Sequence, residues 1–128
     1  MNQETIVAWH DYETILRQSN TRRYFREREV WWLALGLNLG AEENGKGPEF
    51  SRPVLILRKF NQNFFLGVPL STVPKRGKYY YTFTLGSNYP TALLSQVRAL
   101  AASRLINRDG KINREEFMRL RAQLRNLL

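Results

Sequence analysis

The residues able to do chemistry gather around one stretch, Ser51 to Thr72, which reads SRPVLILRKFNQNFFLGVPLST. Arg52 stands at its entrance, and the hydroxyl pair Ser71 and Thr72 stands at its exit. A guanidinium is permanently charged and forks onto phosphoryl oxygens, and a hydroxyl beside it donates a further hydrogen bond to the same group. Upstream, the glycine-rich loop Asn38 to Phe50 carries the carboxylates Glu42 and Glu43, with Glu42 placed to serve as a general base. Lys46, Lys75, Arg76, Lys78, Gln96 and Arg98 supply cations and an amide for holding a polyanion. The set fits RNA better than DNA, because RNA brings its own nucleophile, the 2′-hydroxyl. Cleavage then needs a base, a grip on the charged phosphorus and a proton for the leaving 5′ oxygen. Arginine is a poor acid at neutral pH, so Arg52 is assigned to electrostatic stabilisation.

Other chemistries find little support. There is one histidine, His10, and no cysteine, which leaves few metal ligands and no disulfide. No G-x-S-x-G occurs, and Gly45-Lys46-Gly47 is not followed by the hydroxyl of a phosphate-binding loop. Asn107, Asp109, Gly110, Ile112 and Glu116 match part of a calcium loop, but its first position falls on Leu105, where the ion needs a carboxylate. Gly110 reads better as a turn residue and Glu116 as part of a helix cap.

The elements that must position these residues are mostly strands. Pro53 to Leu57 is a short Val/Leu/Ile run that suits a strand buried on both faces, and Phe64 to Leu70 suits its partner. Arg58 to Asn63 reads as the bend between them. A hairpin of this kind brings its outer ends together, so Arg52 is expected beside Ser71 and Thr72. Val30 to Gly36, with Trp31 and Trp32 on alternate faces, reads as an earlier strand. Tyr79 to Leu85, YYYTFTL, alternates as a strand does, and its tyrosines offer either stacking faces for unpaired bases or core packing. Thr91 to Leu105 favours helix by propensity. Asn113 to Leu128 is an amphipathic helix with Asn113 and Glu116 as a capping box and Phe117, Leu120, Leu124 and Leu127 as its apolar stripe. Its arginines, Arg114, Arg119, Arg121 and Arg125, form a solvated face. Residues 3 to 18 read as a second amphipathic helix, in which His10 is an ordinary surface or half-buried residue.

The 128 residues suit one domain, and 20 Lys and Arg against 11 Asp and Glu give a net charge of +9. Such a balance favours an anionic partner: nucleic acid, a membrane surface or an acidic protein. No apolar run approaches the ~20 residues of a membrane span. The N-terminus, MNQETIVAWHDYE, lacks the basic start of a signal peptide, so a cytoplasmic location is expected.

Four pieces together resemble the PemK/MazF family of toxins from type II toxin–antitoxin systems. They are the Gly40 to Gly45 loop, Arg52-Pro53-Val54-Leu55, Val68-Pro69-Leu70-Ser71-Thr72, and Gln96-Val97-Arg98 followed by Arg104-Leu105. The resemblance implies a mainly β protein, a small SH3-like β-barrel of the MazF/Kid/CcdB type over residues 29–112. It implies a C-terminal helix at 113–128 and makes 2–19 an added N-terminal helix, all in one toxin domain, 1–128. It makes Ala92 to Leu100 a strand, against the helical propensity there. It implies a homodimer that cuts single-stranded mRNA at short motifs without a cofactor, leaving a 2′,3′-cyclic phosphate and a 5′-hydroxyl, and an acidic antitoxin that neutralises it. Residue by residue, the family arginine falls on Arg52 and the family Thr-Ser pair falls on Ser71 and Thr72 in swapped order. The loop glutamate falls on Glu42, and the glutamine after it becomes Glu43. Some members place an acid–base arginine and aspartate just before the Gln-x-x-Arg segment, where this chain has Leu93 and Ser95. Two alternatives therefore stay open: a non-catalytic RNA-binding barrel, and a gyrase poison like CcdB.

Overall fold

The computed structural model describes residues 24–34 and 51–128. The expected N-terminal helix with His10, and the loop holding Glu42, Glu43 and Lys46, lie outside these residues. The described chain forms seven strands, β1 (Glu29–Ala34), β2 (Ser51–Lys59), β3 (Phe64–Ser71), β4 (Tyr80–Thr82), β5 (Thr91–Leu93), β6 (Arg98–Ala101) and β7 (Leu105–Lys111), followed by helix α1 (Arg114–Asn126). Every pairing is antiparallel, and the order across the sheet is β4-β5-β3-β2-β1-β7, with β6 also on β3.

The β2–β3 hairpin is the centre of this sheet. Seven consecutive residues of β2, Ser51 to Leu57, are buried, as a strand covered on both faces should be. Its alternate side chains feed two separate apolar layers. Leu55 and Leu57 join Val30, Val68, Leu70 and Ala92 beneath Phe117 and Leu120 of α1. Val54 and Ile56 join Phe25, Trp31, Leu33, Phe65 and Leu105 on the other face. The strand runs on through Lys59, so the bend is tighter than the sequence suggested. Asn61 closes it, its side-chain oxygen accepting from the amides of Asn63 and Phe64 at 2.7 and 3.0 Å.

Three expectations are corrected. Among the described residues the barrel is not closed by hydrogen bonds: β4 and β7 are the two ends of the sheet. The ends meet through side chains instead, since a methyl group added at Gly110 of β7 would sit 3.0 Å from Leu85, just past β4. Second, Ala92 to Leu100 is not one strand. β5 pairs with the Leu70–Ser71 end of β3 and β6 with its Phe64–Gly67 end, three residues out of step, and the 3₁₀ turn Leu94–Gln96 takes up the difference. The interruption falls beside Pro69, whose nitrogen has no hydrogen to give a ladder. Third, Tyr79 to Leu85 yields only the three-residue β4. Beyond it, Leu85 and Asn88 exchange backbone bonds around Gly86, which takes a left-handed φ of 62°.

α1 does more than cover the core. Asn113 caps it, accepting from the amides of Glu115 and Glu116. Glu116 does not complete the capping box: its carboxylate accepts from the amide of Thr84 at 3.1 Å. About two turns later, the Gln123 side-chain amide donates to the carbonyls of Lys78 and Tyr80, both at 2.9 Å. The helix thus supplies partners to the backbone of the outermost strand, whose polar groups would otherwise face water as a free edge. Gly110 lies in β7, so the partial calcium-loop pattern is an extended strand entering a helix.

Candidate active site

Strand register assembles the site. The β2–β3 ladder ends at the pair Val54 with Pro69, and carried two residues further the same alignment would set Arg52 opposite Ser71. On its other side Ser71 pairs with Thr91 of β5, and Thr91 pairs with Thr82 of β4. Directly opposed residues of antiparallel strands put their side chains on one face. Ser71, Thr91 and Thr82 therefore form a row across the three neighbouring strands β3, β5 and β4, which Arg52 of β2 would extend. Its face is the one that carries Val54 and Ile56, away from α1.

The members of the row differ in exposure. Arg52 is 8% exposed, Ser71 2% and Thr91 fully buried, whereas Thr82 is exposed. The Ser71 hydroxyl is engaged locally: it accepts from the Val73 amide at 3.1 Å and donates to the Val73 carbonyl at 3.2 Å. That loop geometry turns the chain out of β3. Thr72, one residue past the strand end, is exposed. Thr82 and Thr91 share a hydroxyl–hydroxyl bond of 2.7 Å.

The structure places the remaining candidates as follows. Lys75, half exposed, and Arg76 and Lys78, both exposed, lie on the connection that leaves Thr72 and enters β4. The Lys78 ammonium stands 5.1 Å from the centre of the Tyr79 ring. Gln96 is exposed at the end of the 3₁₀ turn. Arg98 is exposed and pairs with Gly67, four residues back along β3 from Ser71, a displacement of roughly 13 Å. The structure thus puts Arg52 on the strand next to the one that ends in Ser71, keeps the 75–78 cations on the adjoining loop and sets Arg98 well along the sheet. Glu42, Glu43 and Lys46 lie outside the described residues, on the connection that joins the Ala34 end of β1 to the Ser51 end of β2. Ala34 pairs with Ser51, so that connection starts and finishes beside Arg52.

The register also separates the tyrosines. Tyr81 packs against the α1-side core, and burial, with the nearby Glu116 carboxylate, raises its phenol above the ordinary tyrosine value while a hydrogen bond from Arg119 works against the rise. Tyr80 shares parity with Thr82 and stands on the face of the row. Sequence reading passed over three residues. Thr82 and Thr91 were legible as alternation in YYYTFTL and as a hydroxyl after Pro90. Glu29 closes the charged stretch TRRYFRERE, yet it is buried, its carboxylate accepting from the Arg26 amide at 2.8 Å and the Trp31 indole at 3.0 Å.

An antiparallel sheet with a C-terminal helix across its edge defines the fold class. The chain belongs to the family described as PemK-like, MazF-like toxin of type II toxin-antitoxin system, whose profile matches residues 26–128. No curated protein sequence matches it. Among solved structures it is similar to MazF from Deinococcus radiodurans, with 19% identity, a TM-score of 0.64, and coverage of 83% of this chain and 97% of that one. It is similar to MazF of the MazE-MazF structure from the same organism, with 18% identity, a TM-score of 0.62, and coverage of 82% and 96%. A mycobacterial endoribonuclease in complex with its cognate antitoxin gives 12% identity, a TM-score of 0.63, and coverage of 80% and 93%. At these identities the structures speak for the fold, and the family profile for membership. No helix among the described residues is long and apolar enough to cross a membrane.

Proposed function

We propose that this chain is a toxin endoribonuclease that cuts single-stranded mRNA at short motifs. The observation that supports the reading is the strand register, which, carried two residues beyond the pair of Val54 with Pro69, would set Arg52 opposite Ser71 at the sheet end where residues 35–50 join β1 to β2. In the proposed reaction Glu42, or Glu43 beside it, removes the 2′-hydroxyl proton. The 2′ oxygen attacks phosphorus, Arg52 balances the charge that builds on the phosphoryl oxygens, and Thr72 donates to one of them. Ser71 has its hydroxyl bound to Val73, so its part is to shape the loop that presents Thr72. The P–O5′ bond breaks, and the 5′ oxygen takes a proton from solvent. The products are a 2′,3′-cyclic phosphate and a 5′-hydroxyl, and the charge is balanced by arginine rather than by a metal ion.

Lys75, Arg76 and Lys78 hold the RNA backbone on one side, with Gln96 and Arg98 further along the sheet. A +9 chain attracts an acidic partner. Two of the similar structures are toxin–antitoxin complexes, which supports an acidic cognate antitoxin as the natural inhibitor. A homodimer acting in the cytoplasm completes the reading. The test is incubation of the purified chain with a long RNA in EDTA, followed by mapping of the cut ends. Cyclic phosphate and 5′-hydroxyl ends that vanish in a folded Arg52→Ala variant are the expected result. Full cleavage by that variant would refute the assignment of Arg52, and bound but intact RNA would refute catalysis.

A further inference from the structure

The row of polar residues does not stop at the catalytic pair. Two strands beyond Ser71 it ends on Thr82, whose hydroxyl is held at 2.7 Å by that of the fully buried Thr91. Neighbouring strands lie about 4.8 Å apart, which puts Thr82 roughly 10 Å from Ser71, with Arg52 a further strand away on β2. That span is too long for one phosphate and suits a contact to a different nucleotide of the same strand. Thr82 is exposed while Thr91 is not, so the pair has one hydroxyl for a ligand and one to fix it. Tyr80 stands two residues away on the same face, half buried, and Lys78 lies just before it.

Resting on the endonuclease reading above, we propose that Thr82 is a second RNA-backbone contact and Thr91 its positioning residue. A single strand gripped at Arg52 then runs across the sheet from β2 towards β4, perpendicular to the strands. Tyr80 and Lys78 flank it there with a ring face and a charge. Because Thr82 is remote from the scissile bond, its hydroxyl binds ground state and transition state alike, which places its effect in KM and not in kcat.

The experiment compares Thr82→Val, Thr82→Ser, Thr91→Val and Thr91→Ser with the unaltered chain. The readouts are cleavage kinetics on a fluorogenic RNA oligonucleotide, fluorescence anisotropy of a labelled single-stranded RNA, and thermal melting as a check on folding. The valine variants are expected to raise KM and the RNA dissociation constant about fivefold, as one hydrogen bond predicts, with kcat within twofold. Serine at either position restores the hydroxyl and most of the affinity. A folded Thr82→Val variant with unchanged affinity would overturn the proposal, and so would a Thr82→Ser variant as weak as Thr82→Val. If the unaltered chain binds RNA without cutting it, the catalytic reading falls, and the anisotropy series still decides the Thr82 contact. If it neither binds nor cuts, both fall.

Discussion

Gln123 gives the sharpest test of how the sheet ends. Its side-chain nitrogen donates to the Lys78 and Tyr80 carbonyls, both at 2.9 Å, and so ties α1 to the outermost strand. A hydrogen bond of this kind contributes about 0.5–1.5 kcal/mol net. The bond to Lys78 is exposed, and water can replace it when the amide is removed. The bond to Tyr80 is partly buried, and its carbonyl loses more. Gln123→Ala should therefore cost about 1–2 kcal/mol. For a domain of this size that is a fall in Tm of roughly 3–8 °C. Gln123→Glu is the more discriminating change: it keeps the shape but presents acceptors to two carbonyls, and it should cost at least as much as alanine. The loss should be local. β4 is three residues long, paired with β5 alone, so amide hydrogen exchange should quicken in Tyr80 to Thr84 while β2 keeps its protection. Equal exchange in β4 of the variant and the unaltered chain would refute the view that α1 secures this edge. So would a Gln123→Glu variant as stable as the original.

Other parts of the structure make equally specific demands. A methyl group at Gly67 would stand 2.9 Å from the Phe65 ring, 3.0 Å from Leu100 and 3.1 Å from Val54. Gly67→Ala should thus destabilise by about 1–3 kcal/mol in urea unfolding, despite the better strand propensity of alanine. Glu29→Ala takes the acceptor from the buried Trp31 indole and from the part-buried Arg26 amide and should cost about 1–3 kcal/mol. Glu29→Gln keeps an acceptor oxygen and should cost clearly less, as the two denaturation midpoints will show. Tyr81 is raised above its ordinary value of 10.0, chiefly by burial, so the folded state holds its proton longer than the unfolded chain does. Its contribution is complete below pH 10 and is lost as pH climbs through the folded-state value. Melting curves should therefore fall less steeply above pH 10 in Tyr81→Phe than in the unaltered chain.

What the sequence made legible was whatever its local pattern determined. The β2–β3 hairpin follows from two apolar runs around a polar bend, and α1 from its cap and its stripe. The break between β5 and β6 was not legible, because Leu94, Ser95 and Gln96 have nothing of a turn about them. It comes from a mismatch of register on β3 beside Pro69, which is a fact about two strands and not about one segment. Glu116 was misassigned for a similar reason: its spacing from Asn113 fits a capping box, but the amide that claims its carboxylate belongs to Thr84, 32 residues away in sequence. Glu29 looked like one more charge in TRRYFRERE. Only the fold of Phe25 to Trp31 reveals two donors converging on it. Arg28 beside it takes a left-handed φ of 77°, held by backbone bonds to Ile56 and Ile112 and by its guanidinium on the Ile112 carbonyl. No local signal marks such a residue, since the strain is offset by partners from β2 and from the end of β7.

These non-local features bear on the site. Arg52 sits nearly buried near the start of β2, where it pairs with Leu33 of β1. β3 is turned outward at its end by Ser71, while Arg28 and Glu29 fix the opposite end of β1, beside Ile56. A guanidinium held in this way has little freedom left to lose when it meets a phosphate, which is what electrostatic preorganisation requires. The bonds between Ser71 and Val73 explain the division of labour between the two alcohols. The one in register with Arg52 is engaged in shaping the chain, and the one past the strand end is left exposed for a ligand. If that division holds, Ser71→Ala should lose activity mainly through a loosened loop, with KM and kcat both affected, while Thr72→Ala should lose kcat with the melting temperature unchanged. The reverse pattern in steady-state kinetics would mean that Ser71 leaves Val73 and turns to the phosphate when RNA binds.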